Sequence, residues 1–282
     1  MYGRMEYIHP PDKKETLHMK STYTAVHFFF TELRQSLGAG FFMGILAGIV
    51  CIVLDCGTGL TSLQESTVHD YIGTLFPYGF YGTFVFAPLM SIPYGMGYYR
   101  DRNSGILRLL IMRTGKSAYC RAKVGVTFIS SFLAGSISMT LCVVVLQLFG
   151  PLMTGVVAED LKGAPFMVLV STGHYVFYYI IFIFLMGLWC GLHGVAVLFL
   201  SAWIAKGYIC IAAVVTFGYA ATVILNVLGV GIDYRLNSWF SVRCSPFMDW
   251  VTFGLCIGIT VLGVWLLKYA FSEKVKKNLA NE

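Results

Sequence analysis

Apolar residues in this chain come in long runs, and polar residues are confined to the short segments between them. A helical run of about 20 residues matches the thickness of a bilayer core. Six stretches are expected to cross, at 37–54, 75–98, 124–149, 166–200, 208–228 and 250–271. Pro88 and Pro93 lie inside the second, where missing amide donors predict a kink. The chain is almost continuously apolar from 166 to 230, and SAWIAKG, with Ser201, Lys206 and Gly207, is its best break. The fourth span is long enough to tilt or bend around Gly187, Gly191 and Gly194. The segment 229–249 is semi-polar, carries Trp239 and Phe240, and is expected to dip into the interface without crossing.

A different pattern precedes the first run. Val26, Phe29, Phe30, Leu33 and Leu37 recur at helical spacing, with His27, Thr31, Arg34 and Gln35 on the opposite side. This predicts an amphipathic helix over 24–36, too polar to span and lying in the membrane interface. Residues 1–23 read as a polar tail, 24–271 as one six-span domain, and 272–282 as a basic tail whose Lys274, Lys276 and Lys277 meet anionic lipid. No small-residue cleavage site follows the first apolar run, so the first span is expected to stay in the mature protein.

Composition fits this picture. Hydrophobic residues make up 57% of the 282 and charged residues 12%, about half the charged fraction of a soluble domain. The fold class expected is an all-α polytopic membrane protein without a large soluble domain. Of the 20 Lys and Arg, only Lys162, Arg235 and Arg243 fall outside if both termini are cytoplasmic, which sets the orientation by the positive-inside rule. The eight Cys form no CxxC pair and no Cys/His cluster with zinc spacing. Cys56 and Cys244 both lie toward the outer face, which leaves open whether they pair.

Charge concentrates in YRDRNSGILRLLIMRTGKSAYCRAKV, residues 99–124. Between Arg100 and Lys123 it carries five Arg and two Lys against one acid, Asp101. Gly115-Lys116-Ser117 ends like a phosphate-binding loop, but Leu110 stands where the loop requires its first Gly, and nothing Gly-rich precedes Lys116. The nucleotide reading fails. The local pattern instead predicts a short helix capped by Ser104, with Ile106, Leu109 and Leu110 on one face and Arg108 and Met112 on another. Thr114-Gly115 ends it, and Ser117 caps a second helix that runs into span three. A loop touching anionic lipid would account for the charge but not for the apolar stripe. Apolar anchors flanked by Arg are what a protein groove takes hold of.

The order of interface helix, two spans, short cytoplasmic helix and four spans resembles the permease subunits of ABC-2-type exporters, the type V ABC fold. Asp101, Ser104, Gly105, Leu107, Leu110, Ser117 and Lys123 match the family pattern after span two. The family's Glu is replaced by Asp101 or Asn103, and Thr114-Gly115 stands where its linking Pro would be. The likeness covers most of the chain in layout and about 98–124 in motif. It implies a coupling helix within 100–123, with Asp101, Ser104, Gly105, Ile106, Arg108, Leu109, Leu110 and Arg113 facing a separate ATPase. It also implies two ATP-binding subunits, Mg-ATP on those partners and no cofactor in this chain, a second permease chain (identical or related), and a bacterial plasma membrane. The family's interface along spans one, two and five points to Phe41, Phe42, Phe80, Phe84, Phe217, Tyr219 and Asn226 as a pathway for a hydrophobic or amphipathic drug or an antimicrobial peptide. Packing within helices or against lipid is the competing role for each of those aromatics.

No catalytic, metal or nucleic-acid constellation stands out. His174 and His193 are nineteen residues apart with no acid between them, and Asp55 and Asp70 sit at outer ends rather than the midplane. A secondary transporter, the alternative class, would be expected to place carboxylates at the midplane and to carry paired broken helices.

Overall fold

The computed structural model describes residues 13–56, 67–69, 71–72, 76, 79–148, 150–152, 165–204 and 206–281, with side chains from residue 25 onward. Among the described residues the structure is helical and without strands. Eleven α-helices follow in order: α1 Lys13–Ser36, α2 Ala39–Cys56, α3 Phe86–Leu89, α4 Gly97–Asn103, α5 Leu107–Thr114, α6 Lys116–Gln147, α7 Met167–Ser171, α8 Tyr175–Ser201, α9 Gly207–Val227, α10 Leu236–Phe240 and α11 Asp249–Asn281. Five of them, α2, α6, α8, α9 and α11, are long and apolar enough to cross a membrane. That is compatible with a multi-pass membrane protein.

Packing places α8 at the centre. Its most apolar window is 56% buried, against 17% for α11 and 11% for α9. Small residues let α6 and α8 approach closely. A Cβ added at Gly187 would stand 2.3 Å from Ser136 Oγ, one at Gly191 2.6 Å from the Phe128 ring, and one at Gly194 2.7 Å from Ser131 Cβ. These distances are far inside van der Waals contact, so the three glycines serve helix–helix packing, as small residues do in membranes. The helix α8 is continuous through all three. The expected break at SAWIAKG is present between α8 and α9. The fourth stretch does not run unbroken from 166: Phe166 has φ 63°, α7 follows, and Gly173 at φ 79° turns the chain into α8.

The second apolar stretch departs most from a simple span. Its described part holds a π-helical turn at Tyr81–Val85, the four-residue α3, consecutive turns over 90–96, and then α4. Pro88 and Pro93 explain the later breaks, because each removes a donor and crowds the preceding turn. Asp55 closes the start of the π turn. Its carboxylate accepts the backbone N–H of Tyr81 at 3.3 Å and of Gly82 at 2.5 Å, groups that a helix start leaves without partners. Space there is tight, since a Cβ at Gly82 would lie 2.0 Å from the Phe76 carbonyl oxygen. Asp55→Ala is expected to cost about 0.5–1.5 kcal/mol, the net worth of a hydrogen bond that is not fully buried, read as a lowered Tm in detergent. Asp55→Asn, which keeps an acceptor, is expected to recover part of it. Asp70 lies outside the described residues.

The two ends of the bundle differ. One gathers α1, α4, α5, the start of α6 and the end of α11, and holds most of the described Lys and Arg; it is called the basic end below. At the other, the segment after α9 folds back on the bundle. Phe240 is fully buried and stacks on Trp189 with ring centroids 4.8 Å apart, and the Trp239 indole N–H donates to the Asp233 carbonyl. All eight cysteines, Cys56 and Cys244 included, are free thiols. Burial, reinforced by Asp233, pushes the Cys244 thiol above its ordinary pKa, which keeps it protonated and unreactive.

Candidate functional site

The basic stretch folds into two helices bracketed by glycines. Gly105 (φ 73°) turns α4 into α5, and Gly115 (φ 81°) turns α5 into α6; both are conformations that L side chains avoid. Ser104 does not cap α5. Its hydroxyl donates back to the Asp101 carbonyl at 3.2 Å and finishes α4 instead. The expected helix therefore starts later, at Leu107. Ser117 likewise lies inside α6, which begins at Lys116 behind Gly115.

The later start rotates the stripe. Leu107 is buried against Tyr98, Tyr119, Cys120 and Val124 and anchors α5 to the bundle. Leu110, expected beside Ile106 and Leu109, is half-buried instead and lines a cleft of about 420 Å³ between α1 and α5, with His27, Thr31, Glu32 and Arg113. The exposed ridge is Ile106, Leu109 and Met112, at 43%, 63% and 75% exposure, one every three residues along the helix. Arg102, Arg108 and Arg113 are exposed beside it. Of the expected contact residues, Ser104, Gly105, Ile106, Arg108, Leu109 and Arg113 are at the surface, whereas Asp101 is buried.

Asp101 belongs to an ion cluster behind the ridge. Lys123, fully buried about two turns into α6 where the apolar run begins, lies 2.7 Å from Asp101 Oδ2 and 2.8 Å from Glu32 Oε2. Its ammonium also donates to the Tyr94 hydroxyl at 2.6 Å, and the Tyr119 hydroxyl donates to Asp101 Oδ2 at 2.8 Å. A buried ammonium is tolerated when its charge and its donors are both satisfied, and here they are. The cluster ties α1, the turn at Tyr94, α4 and α6 to one point. A second tie lies beside it: the Asn278 amide donates to the Tyr98 hydroxyl at 2.9 Å and to the Ala202 carbonyl at 3.0 Å. The end of α11 is thus helical and packed on the bundle, with Lys276 and Lys277 exposed and Lys274 over the Trp203 ring at 3.9 Å.

The resemblance to the family pattern singles out Lys123 but misses its partners Glu32, Tyr94 and Tyr119. The face of α1 expected to meet lipid is exposed only in part. Glu32 and Ser36 are buried, Phe28 stacks on Tyr119 and Phe29 covers Gly125, while Val26, Phe30 and Leu37 are exposed. A charge in the first apolar turn of a helix demands a counter-charge, and Glu32 supplies it; that demand was the available signal.

The aromatic residues expected to line a pathway divide three ways. Phe80, Phe84 and Tyr219 come together, with ring centroids 5.4–6.2 Å apart. Phe41 is buried against the core while its neighbour Phe42 is exposed. Phe217 and Asn226 are exposed on α9 apart from that cluster, and Phe217 faces a different cavity. His174 precedes α8 and His193 lies roughly 28 Å further along it at 1.5 Å per residue; among the described residues no three His, Cys, Asp or Glu gather in a metal-binding group. The chain matches no protein-family model, no curated protein and no solved structure.

Proposed function

We propose that this chain is the membrane permease subunit of an ATP-driven exporter of the ABC-2 type, acting as a dimer with two separate ATP-binding subunits. The observation that carries the reading is α5: a short helix at the basic end whose Ile106–Leu109–Met112 ridge stands exposed among arginines, anchored from behind by Leu107 and flanked by α4 and α6, which the Lys123 ion cluster ties together. An exposed apolar ridge flanked by Arg suits a protein groove. Its seating suits force transmission, since α5 joins α6 directly at Gly115 and α4 at Gly105, and the ion cluster ties α4 to α6 and α1.

In this reading the basic end is cytoplasmic and both termini lie there. The broken stretch through the π turn, α3 and α4 makes the sixth crossing beside the five long helices. The partner ATPases bind Mg-ATP, and this chain holds no nucleotide. ATP shifts the equilibrium only by binding one arrangement of the partners better than the other; α5 then carries that difference to the helices. The exposed apolar side chains of α2 (Phe42, Leu46, Val50), the π turn and α9 are available to a second permease chain, with the Phe80–Phe84–Tyr219 cluster toward the passage. Such a lining suits a hydrophobic or amphipathic cargo, a drug or an antimicrobial peptide, exported across a bacterial plasma membrane.

Leu109→Asp tests this better than a change at Leu110, which packs against α1. In the reconstituted complex Leu109→Asp is expected to lower cargo-stimulated ATP hydrolysis at least about ten-fold, as loss of a central contact worth roughly 1.4 kcal/mol or more would, while the chain keeps its wild-type Tm. Arg108→Glu is expected to act in the same direction. Unchanged stimulation in both variants contradicts the role given to α5.

A further inference from the structure

A cavity of about 580 Å³ lies between α8, α9 and α11, away from the Phe80–Phe84–Tyr219 cluster. Its walls include Leu192, Ala196, Val214, Phe217 and Gly218, and His193 is its one ionisable or strongly polar side chain. The volume falls in the range of small-molecule sites, which are mostly apolar with a few placed polar groups. All three helices are among those long enough and apolar enough to span a membrane, and apart from His193 the cavity's lining is apolar.

The histidine decides what fits. Its Nδ1 lies 3.0 Å from the Trp189 carbonyl oxygen. A carbonyl only accepts, so in the neutral ring Nδ1 carries the proton and Nε2, the distal atom, is an acceptor. The Trp189 ring, its centroid 4.3 Å away, braces the imidazole. A lipid chain can fill an apolar space but offers this nitrogen nothing. We infer that the cavity between α8, α9 and α11 binds compact, uncharged, hydrophobic molecules that carry one hydrogen-bond donor, a phenol or alcohol, donated to His193 Nε2. This site does not depend on an ATPase partner.

Gly218 offers a clean way to close it. A Cβ there meets nothing within 4 Å, and Thr222 bonds only the Gly218 carbonyl. Gly218→Phe therefore starts from open space and is expected to occupy the cavity, and it replaces a poor helix former.

The purified full chain in phosphatidylcholine nanodiscs is photolabelled with a diazirine-bearing 2,6-dialkylphenol and, separately, with its methyl ether, and labelled peptides are mapped. The phenol is expected to label α8 around Leu192–Ala196 and α9 around Val214–Gly218 about five-fold more than the ether does, the ratio one hydrogen bond of average strength supplies. His193→Leu is expected to erase that ratio while leaving the ether's weak labelling, and Gly218→Phe to remove both with the Tm preserved. Equal labelling by phenol and ether in the unmodified chain means that the cavity holds lipid chains alone and overturns the proposal. So does labelling spread evenly over Val261 and Leu262 on the exposed face of α11, or labelling that survives Gly218→Phe.

Discussion

Replacing Lys123 by Met is expected to destabilise the protein by about 3–5 kcal/mol, the cost of removing one partner from a buried ion cluster. The reason is the arithmetic of charge. Lys123 stands between two carboxylates, Glu32 and Asp101, and all three side chains are nearly or fully buried. Without the ammonium, two anions face each other in an apolar setting, and the Tyr94 hydroxyl loses its donor. The triple variant Lys123→Met/Glu32→Gln/Asp101→Asn removes every charge together and is expected to recover most of the loss, because neutral replacements of buried ion clusters are often tolerated. Tm in detergent measures both. A single variant as stable as the unmodified chain contradicts the cluster. A triple variant as unstable as the single one shows that lost packing, not charge, sets the cost.

The second large effect is expected at Gly194. A Cβ there lies 2.7 Å from Ser131 Cβ, and neither atom can swing away because each is fixed to its own helix. Gly194→Leu forces α6 and α8 apart along the central contact of the bundle, and its cost is expected to exceed the roughly 1–3 kcal/mol usual for overpacking, with little folded protein recovered by size-exclusion chromatography. The smaller change Gly194→Ala fits within that range. Ser131→Gly in the Gly194→Ala background removes the opposing Cβ and is expected to restore part of the loss, a non-additivity that contacting residues show and distant ones do not. Strict additivity of the two changes would place the residues apart.

What the chain reveals before folding divides along physical lines. Apolar runs are set by composition over about 20 residues, so α2, α6, α8, α9 and α11 are legible, as is the polar break at Ser201–Gly207. The second stretch is not, because the start of its π turn is closed by Asp55, 26 residues before Tyr81, and no local period encodes so distant an acceptor. Within α5 the period is legible but the phase is not. One turn taken by Gly105, with Ser104 bonded backward, moves the start to Leu107, turns Leu110 inward and brings Met112 to the surface. The same limit applies to the site. Lys123 declares itself as a charge entering an apolar run, but Glu32 sits 91 residues away on a helix whose phenylalanines suggest a different buried face. Gly187, Gly191 and Gly194 show a related limit: a glycine marks either a bend or a close neighbour, and only the presence of α6 reveals the close neighbours here.

The central claim is that α5 is gripped by an ATP-hydrolysing partner, and affinity capture of the tagged full chain from its native membrane after mild crosslinking tests it most directly. The account predicts that a subunit with a complete Walker A loop is recovered with the chain, that the complex hydrolyses ATP, and that a crosslinker placed at Met112 joins the two, with Leu109→Asp abolishing the link. Recovery of the chain without any such subunit or ATPase activity, in unmodified and Leu109→Asp protein alike, would contradict it and favour a carrier that works without an ATPase.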